Sequence, residues 1–144
     1  MLLANDVAVD WRSGMIIESL RVCVKLYAPE PGIPDSTFVP IFHEWIRERA
    51  LDMVLLDVAD YAHVPDGPGV VLIAHEATFS LDRSDGRFGL LAQQRRPITG
   101  DAGDAIATTL GQALLVAERL ERDRRVAGCL AFDRASIQIG RAHV

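Results

Sequence analysis

The sequence predicts an α+β fold with a single sheet of about five strands and two helices on one face of that sheet. Short apolar segments with strand-like patterns are separated by Pro-Gly and Asp-Gly turn signals. Two longer segments carry the apolar spacing of amphipathic helices. The resulting order, β-α-β-β-β-α-β, is typical of a sheet covered by helices on one side. Ferredoxin-like topology with an added strand is the nearest common plan.

The first strand and the first helix are predicted between residues 20 and 48. The segment 20–28, LRVCVKLYA, alternates as a half-buried strand does. A loop rich in proline follows, and Asp35, Ser36 or Thr37 can cap the helix that begins after it. Apolar side chains then recur at i, i+3, i+4, i+7 and i+8, so we expect this stripe to be buried in the core. The stripe consists of Phe38, Ile41, Phe42, Trp45 and Ile46.

The remaining elements follow from turn signals and apolar runs. Strands are predicted at 53–59 (MVLLDVA) and at 69–82 (GVVLIAHEATFSLD), the second entered through a Pro-Gly turn. RSDG then predicts a hairpin turn into the strand 87–94 (RFGLLAQQ), because an Asp-Gly pair accepts the positive φ angles of such turns. A second helix is predicted at 104–124, and CLAFDRASI (129–137) is predicted as the final strand.

We expect one domain over residues 15–138, with residues 1–14 as an extension without a clear pattern. The last six residues, IGRAHV, are what a reading frame through a common sequencing adapter encodes. Residues 139–144 are therefore expected to be a non-native tail on a truncated chain.

The composition excludes several classes of function. The net charge of −5 provides no basic footprint for nucleic acid, and the arginines between 119 and 125 alternate with acids as on a solvated helix face. Cys23 and Cys129 stand singly in apolar runs, without metal-binding spacing. No signal peptide and no apolar run of about 20 residues is present, so we expect a cytoplasmic protein without membrane contact.

Titratable side chains gather between residues 57 and 76, and they make this segment the predicted ligand-binding site. The two aspartates nearest its start lie at the end of an apolar run, where an ionised carboxylate needs a partner. Two histidines follow, one in the Pro-Gly loop and one in the next strand. The candidate ligand-binding residues are Asp57, Asp60, His63, Asp66, His75 and Glu76.

Two kinds of chemistry fit these residue types. Asp57, His63 and His75 can bind a divalent metal such as Zn, Mn or Fe if a hairpin return brings them together. The same three residues are the catalytic candidates, with a histidine as general base and the aspartate orienting it. The structural alternative is that aspartates accept backbone N–H bonds in turns. Strand alternation also predicts that His75 and Glu76 point to opposite faces.

The segments PIFHEWIRE (40–48) and LLDVADYAHVPDGPGVVLIAHEATFSLD (55–82) carry a likeness to known proteins. In these segments, and more broadly over residues 24–132, the chain resembles an uncharacterised family of bacterial proteins to which no activity is assigned. Members of that family continue past the final strand into a further polar segment. The resemblance therefore implies truncation near residue 138, and it implies no mechanism.

Three functions are consistent with the sequence. The first is a module that binds a small ligand or metal near residues 57–76. The second is an assembly domain that forms a homodimer through an edge or face of its sheet. The third is a metal- or His-dependent hydrolase or isomerase, for which the sequence offers no evident nucleophile.

Overall fold

The computed structural model describes residues 8–10, 15–17, 20–65, 67–98 and 100–143. Two short strands, β1 (Ala8–Asp10) and β2 (Met15–Ile17), pair with each other. The main body contains six strands and two helices, and a single 3₁₀ turn, Asp35–Thr37, precedes the first helix. These elements are β3 (Leu20–Tyr27), α1 (Phe38–Glu48), β4 (Leu55–Tyr61), β5 (Gly69–Ala74), β6 (Ala77–Asp82), β7 (Gly89–Gln94), α2 (Ala102–Arg122) and β8 (Ile137–His143).

The six strands form one open antiparallel sheet in the order β4-β5-β6-β7-β3-β8. The predicted α+β class and the two helices are confirmed, but the sheet has six strands where we expected about five. The additional strand arises because the predicted strand 69–82 folds back at His75–Glu76, so that β5 and β6 pair with each other. Neither residue is a usual marker of a tight turn, so the sequence did not reveal this hairpin. The two side chains therefore lie at a turn and do not alternate along a strand.

The last strand also differs from the prediction. Residues 129–136 form turns and irregular structure, and the strand begins at Ile137. Asp133 N–H donates to Tyr27 O (2.8 Å) and Tyr27 N–H donates to Ser136 O (3.2 Å), which bring the chain back beside β3. Residues 139–143 pair with β3 in the sheet, and their non-native origin stays a prediction.

Both helices pack against one face of the sheet. Phe38, Ile41, Phe42 and Trp45 of the predicted stripe are buried, and they join the same core as the buried face of α2. Strand alternation supplies the sheet's part of this core, since directly opposite residues share a face. Its members in β3, β5, β6 and β7 are Val22, Val24, Leu26, Val70, Leu72, Ala74, Ala77, Phe79, Leu81, Leu90 and Ala92.

The opposite side of the sheet, called here the second face, carries the residues that alternate along the strands with these core residues, and several of them are polar. Lys25, Tyr27, Ser80 and Asp82 are buried on it. The predicted hairpin is confirmed, because β6 and β7 pair from Asp82↔Gly89 onward across a loop of six residues. Gly86 supplies the positive φ of this loop (+83°), and Asp85 is not in that conformation.

Candidate functional site

The predicted ligand-binding residues that the structure describes lie on the edge strand β4, in the loop that follows it and in the β5–β6 turn, and they do not form one cluster. His63 is in the loop that follows β4, near the pair Tyr61↔Gly69. His75 lies at the other end, where its N–H donates to Val54 O (2.8 Å). The six residue-to-residue steps from 69 to 75 span about 20 Å of extended chain. The two histidines are thus at opposite ends of the hairpin.

The two aspartates of β4 make short-range hydrogen bonds of the kind expected in turns. Asp57 Oδ1 accepts from the N–H of Val58 (2.8 Å), and Asp60 Oδ1 accepts from the N–H of Ala62 (3.0 Å). Both side chains are exposed, so neither carboxylate needs a metal to compensate for burial. Asp66 lies outside the described residues.

His75 and Glu76 share the β5–β6 turn and are both about half exposed. His75 Nε2 lies 3.5 Å from Glu76 Oε1 and 3.3 Å from a guanidinium nitrogen of Arg96. A guanidinium at that distance opposes a bound cation. The described residues contain no group of three His, Cys, Asp or Glu side chains arranged to hold a metal ion.

Large apolar side chains are exposed mainly at the two edges of the sheet. Seven such side chains are exposed in the described part of the chain, and six of them lie on or beside an edge strand. Four belong to the β4 edge: Val54, Leu56, Tyr61 and Val64. Two, Ile137 and Ile139, are on β8, and the seventh, Leu115, is on α2.

A groove of about 1020 Å³ adjoins the start of β4, between that strand and the end of α1. Its walls include apolar side chains of α1, of β4 and of the segment between them, among them Ile46, Met53 and Leu55. Arg49 stands at its rim and ends α1 in the left-handed conformation (φ +53°, ψ +50°). Glycine is the usual residue at such a helix end because a side chain is strained there.

A cluster of charged residues on the second face was missed by our reading of the sequence. Lys25, the only lysine of the chain, donates to Asp82 Oδ2 (2.7 Å), Asp85 Oδ1 (2.7 Å) and Arg87 O (2.8 Å). Tyr27 donates to Asp85 Oδ2 (2.6 Å), and the Arg87 guanidinium lies 3.9 Å from the centre of the Tyr27 ring. The one available signal was a lysine inside an apolar strand.

This cluster shifts the pKa values of two of its members. Burial, and then the hydrogen bond to Asp85, raise the pKa of Tyr27 to about 12. Burial alone would raise the pKa of Asp85, but hydrogen bonds from Lys25, Tyr27 and the Arg87 N–H hold it well below its usual range.

A cavity of about 170 Å³ opens beside the cluster and includes Cys23 and Gln138 in its lining. All three N–H bonds of Lys25 are already used within the protein. The cluster is therefore a structural clamp that holds the β6–β7 loop against β3, and Lys25 is not a free nucleophile.

Comparison of the chain with protein-family models, with curated proteins and with solved structures gives no match. The resemblance to the bacterial family thus stays a prediction. In the described ranges, neither helix combines the length and the hydropathy that a membrane span requires.

Proposed function

We propose that this protein is an interaction domain that binds a further β-strand along the β4 edge of its sheet. The proposal depends on one observation: six of the seven exposed large apolar side chains of the described residues lie on or beside an edge strand. The seven residues of β4 offer about 23 Å of strand for pairing.

The physical support is the pairing capacity of an edge strand. A strand at the edge of a sheet has N–H and C=O groups without a partner on its outer side, and these can pair with another chain. Many proteins prevent such pairing with charged side chains. On β4, Asp57 and Asp60 provide charge, but Leu56 and Tyr61 leave apolar area beside the backbone groups.

The β4 edge is a better candidate than the β8 edge for two reasons. Among the side chains whose exposure is described, four large apolar ones are exposed at β4, against two at β8. The groove beside Ile46, Met53 and Leu55 also continues the apolar surface of β4, so a bound strand can place a side chain in it.

The test is site-specific photo-crosslinking of the full chain in the organism that encodes it. A benzophenone amino acid replaces Tyr61 in one variant and the exposed Leu115 of α2 in the matched control. We expect an adduct from position 61, identified by mass spectrometry, that is absent from position 115. The adduct should disappear when Leu56→Lys is added. Equal adducts from both positions, or none from position 61, would exclude binding at this edge.

Binding of a small ligand or metal near residues 57–76 is the second candidate. The observation in its favour is a cleft of about 520 Å³ that Glu76 and Arg96 line, with His75 in contact with both side chains. Elemental analysis of the native protein beside a His63→Ala/His75→Ala variant tests the metal form. Near-stoichiometric metal that is lost in the folded variant would support it, and metal-free native protein would exclude it.

A His-dependent hydrolase or isomerase has the least support. General-base catalysis needs the base within hydrogen-bond reach of a nucleophile or substrate proton. The described side-chain contacts of His75 are to Arg96 and Glu76. The described hydrogen bond of Asp57 is to its neighbouring backbone, so no orienting contact to a histidine supports the role expected for it.

A further inference from the structure

We infer that the strand added to β4 is β4 of a second copy of this chain, antiparallel to the first, with Ala59 beside Ala59 on a two-fold axis. This inference rests on the proposed function and identifies its partner. A two-fold arrangement satisfies both free edges at once and leaves no further β4 edge exposed.

The faces of the two strands match in this register. The pairing with β5 puts Asp57, Ala59 and Tyr61 on the second face, and Val58 and Asp60 on the helix face. Directly opposite residues of an antiparallel pair share a face. With Ala59 opposite Ala59, residue 57 is opposite residue 61 and residue 58 is opposite residue 60. The two residues of every pair therefore lie on the same face of the sheet.

The carboxylates select this register from its neighbours. A pairing centred on Asp57 or on Asp60 would set two carboxylates directly opposite each other, which is unfavourable. The pairing centred on Val58 would place Asp60 against Leu56, where the strand is irregular between residues 55 and 57. Only the pairing centred on Ala59 uses all five regular residues, 57–61, and keeps the acids apart.

The apolar residues are complementary in the same arrangement. The antiparallel arrangement sets the start of one β4 beside the end of the other, so the exposed Val54 of one copy and Val64 of the second copy, 63% and 41% exposed, flank the same end of the paired strands. Tyr61 of the second copy lies beside Asp57, and the small side chain of Ala59 allows close approach at the axis. The same contacts occur twice, once on each side of the axis.

Cysteine cross-linking in the full chain tests both the partner and the register. The background variant is Cys129→Ser, which removes the exposed native thiol. Ala59→Cys places two thiols opposite each other, at a Cα separation that a disulfide can bridge. We expect it to form a covalent dimer at least tenfold faster than Leu115→Cys at the same protein concentration.

A mixing experiment checks the register independently. Equal amounts of Asp57→Cys and Tyr61→Cys chains should cross-link to each other at least tenfold faster than either chain cross-links to itself. Faster self-linking of Asp57→Cys would overturn the register. Unfolding curves of each variant establish that it is folded before its rate is interpreted.

The outcomes separate this inference from the proposed function. If Ala59→Cys links no faster than Leu115→Cys, and photo-crosslinking at position 61 yields a different protein, the interaction domain stands and the second copy is excluded. If position 61 yields no adduct either, both proposals fail. Sedimentation should show a monomer–dimer equilibrium weakened at least tenfold by Leu56→Lys and unchanged by Leu115→Lys.

Discussion

Replacement of Lys25 by methionine should destabilise the protein far more than the loss of an ordinary surface ion pair. The side chains of Lys25 and Asp82 are only 6% and 5% exposed, and they are joined by a 2.7 Å hydrogen bond. Methionine keeps most of the apolar stem of lysine, so packing is nearly preserved. The ammonium is lost, however, and the Asp82 carboxylate is left buried without its counter-charge.

Removal of one partner from a buried ion pair costs about 3–5 kcal/mol, because the remaining charge is not solvated. Such a loss is a large fraction of the roughly 5–15 kcal/mol by which single domains are stable. The matched control is Arg122→Met, which breaks the exposed pair with Glu118 on α2. That change should cost about 0.5 kcal/mol or less.

The assay is urea unfolding of the wild type, both single variants and the double variant Lys25→Met/Asp82→Asn. The double variant should recover part of the loss, since a buried amide costs less than a buried carboxylate and still bonds to Ser84. A cost for Lys25→Met of about 1 kcal/mol or less, close to the control, would refute the reasoning. It would mean that the cluster is solvated and does not clamp the β6–β7 loop.

Three further predictions follow from single residues. The pKa of Tyr27 is raised to about 12 when the protein is folded, so its contribution to stability is complete below pH 10 and is lost as the pH rises through 12. Tyr27→Phe should remove the ionisation step near pH 12 from a near-ultraviolet titration of the folded protein. Arg49→Gly should stabilise the protein by about 0.5–1 kcal/mol in urea unfolding, because glycine relieves the strain of the positive φ of +53° at the end of α1. If the variant is less stable than the wild type, the Arg49 side chain makes a contact that contributes more than the strain costs. Gly69→Ala should lower the unfolding temperature by several degrees, because φ is +72° and a Cβ there would lie 2.5 Å from Leu81 O; an unchanged temperature would contradict the close approach.

The sequence pattern predicted those secondary-structure elements that are determined by residues close together in the chain. The buried stripe of α1 follows from helical spacing, and the β6–β7 hairpin follows from the Asp85-Gly86 turn signal, although only Gly86 takes a positive φ. The β5–β6 turn at His75–Glu76 was missed because neither residue is selected by a turn conformation. Its tightness is imposed by the pairing of the strands around it.

The site residues depend on contacts between distant parts of the sequence, which residue patterns do not encode. Lys25 meets its carboxylates across 57 and 60 residues, and only the register of β3 with β7 and of β7 with β6 brings them together. The histidines show the converse. His63 and His75 are close in sequence, yet β5 runs between them and holds them apart. Proximity along the chain suggested a cluster that the hairpin does not form.

The enclosure of Lys25 has a chemical consequence. An amine-directed reagent finds one lysine in the whole chain, and its nitrogen is enclosed by the Asp82 carboxylate at the end of β6 and by a carboxylate and a carbonyl oxygen of the β6–β7 loop. Acylation of that nitrogen requires the loop to move away, so the acylation rate measures how often the loop opens in the folded protein. Enzymes that attach tags to lysine side chains meet the same barrier, and the folded domain is resistant to them at this residue until the loop opens.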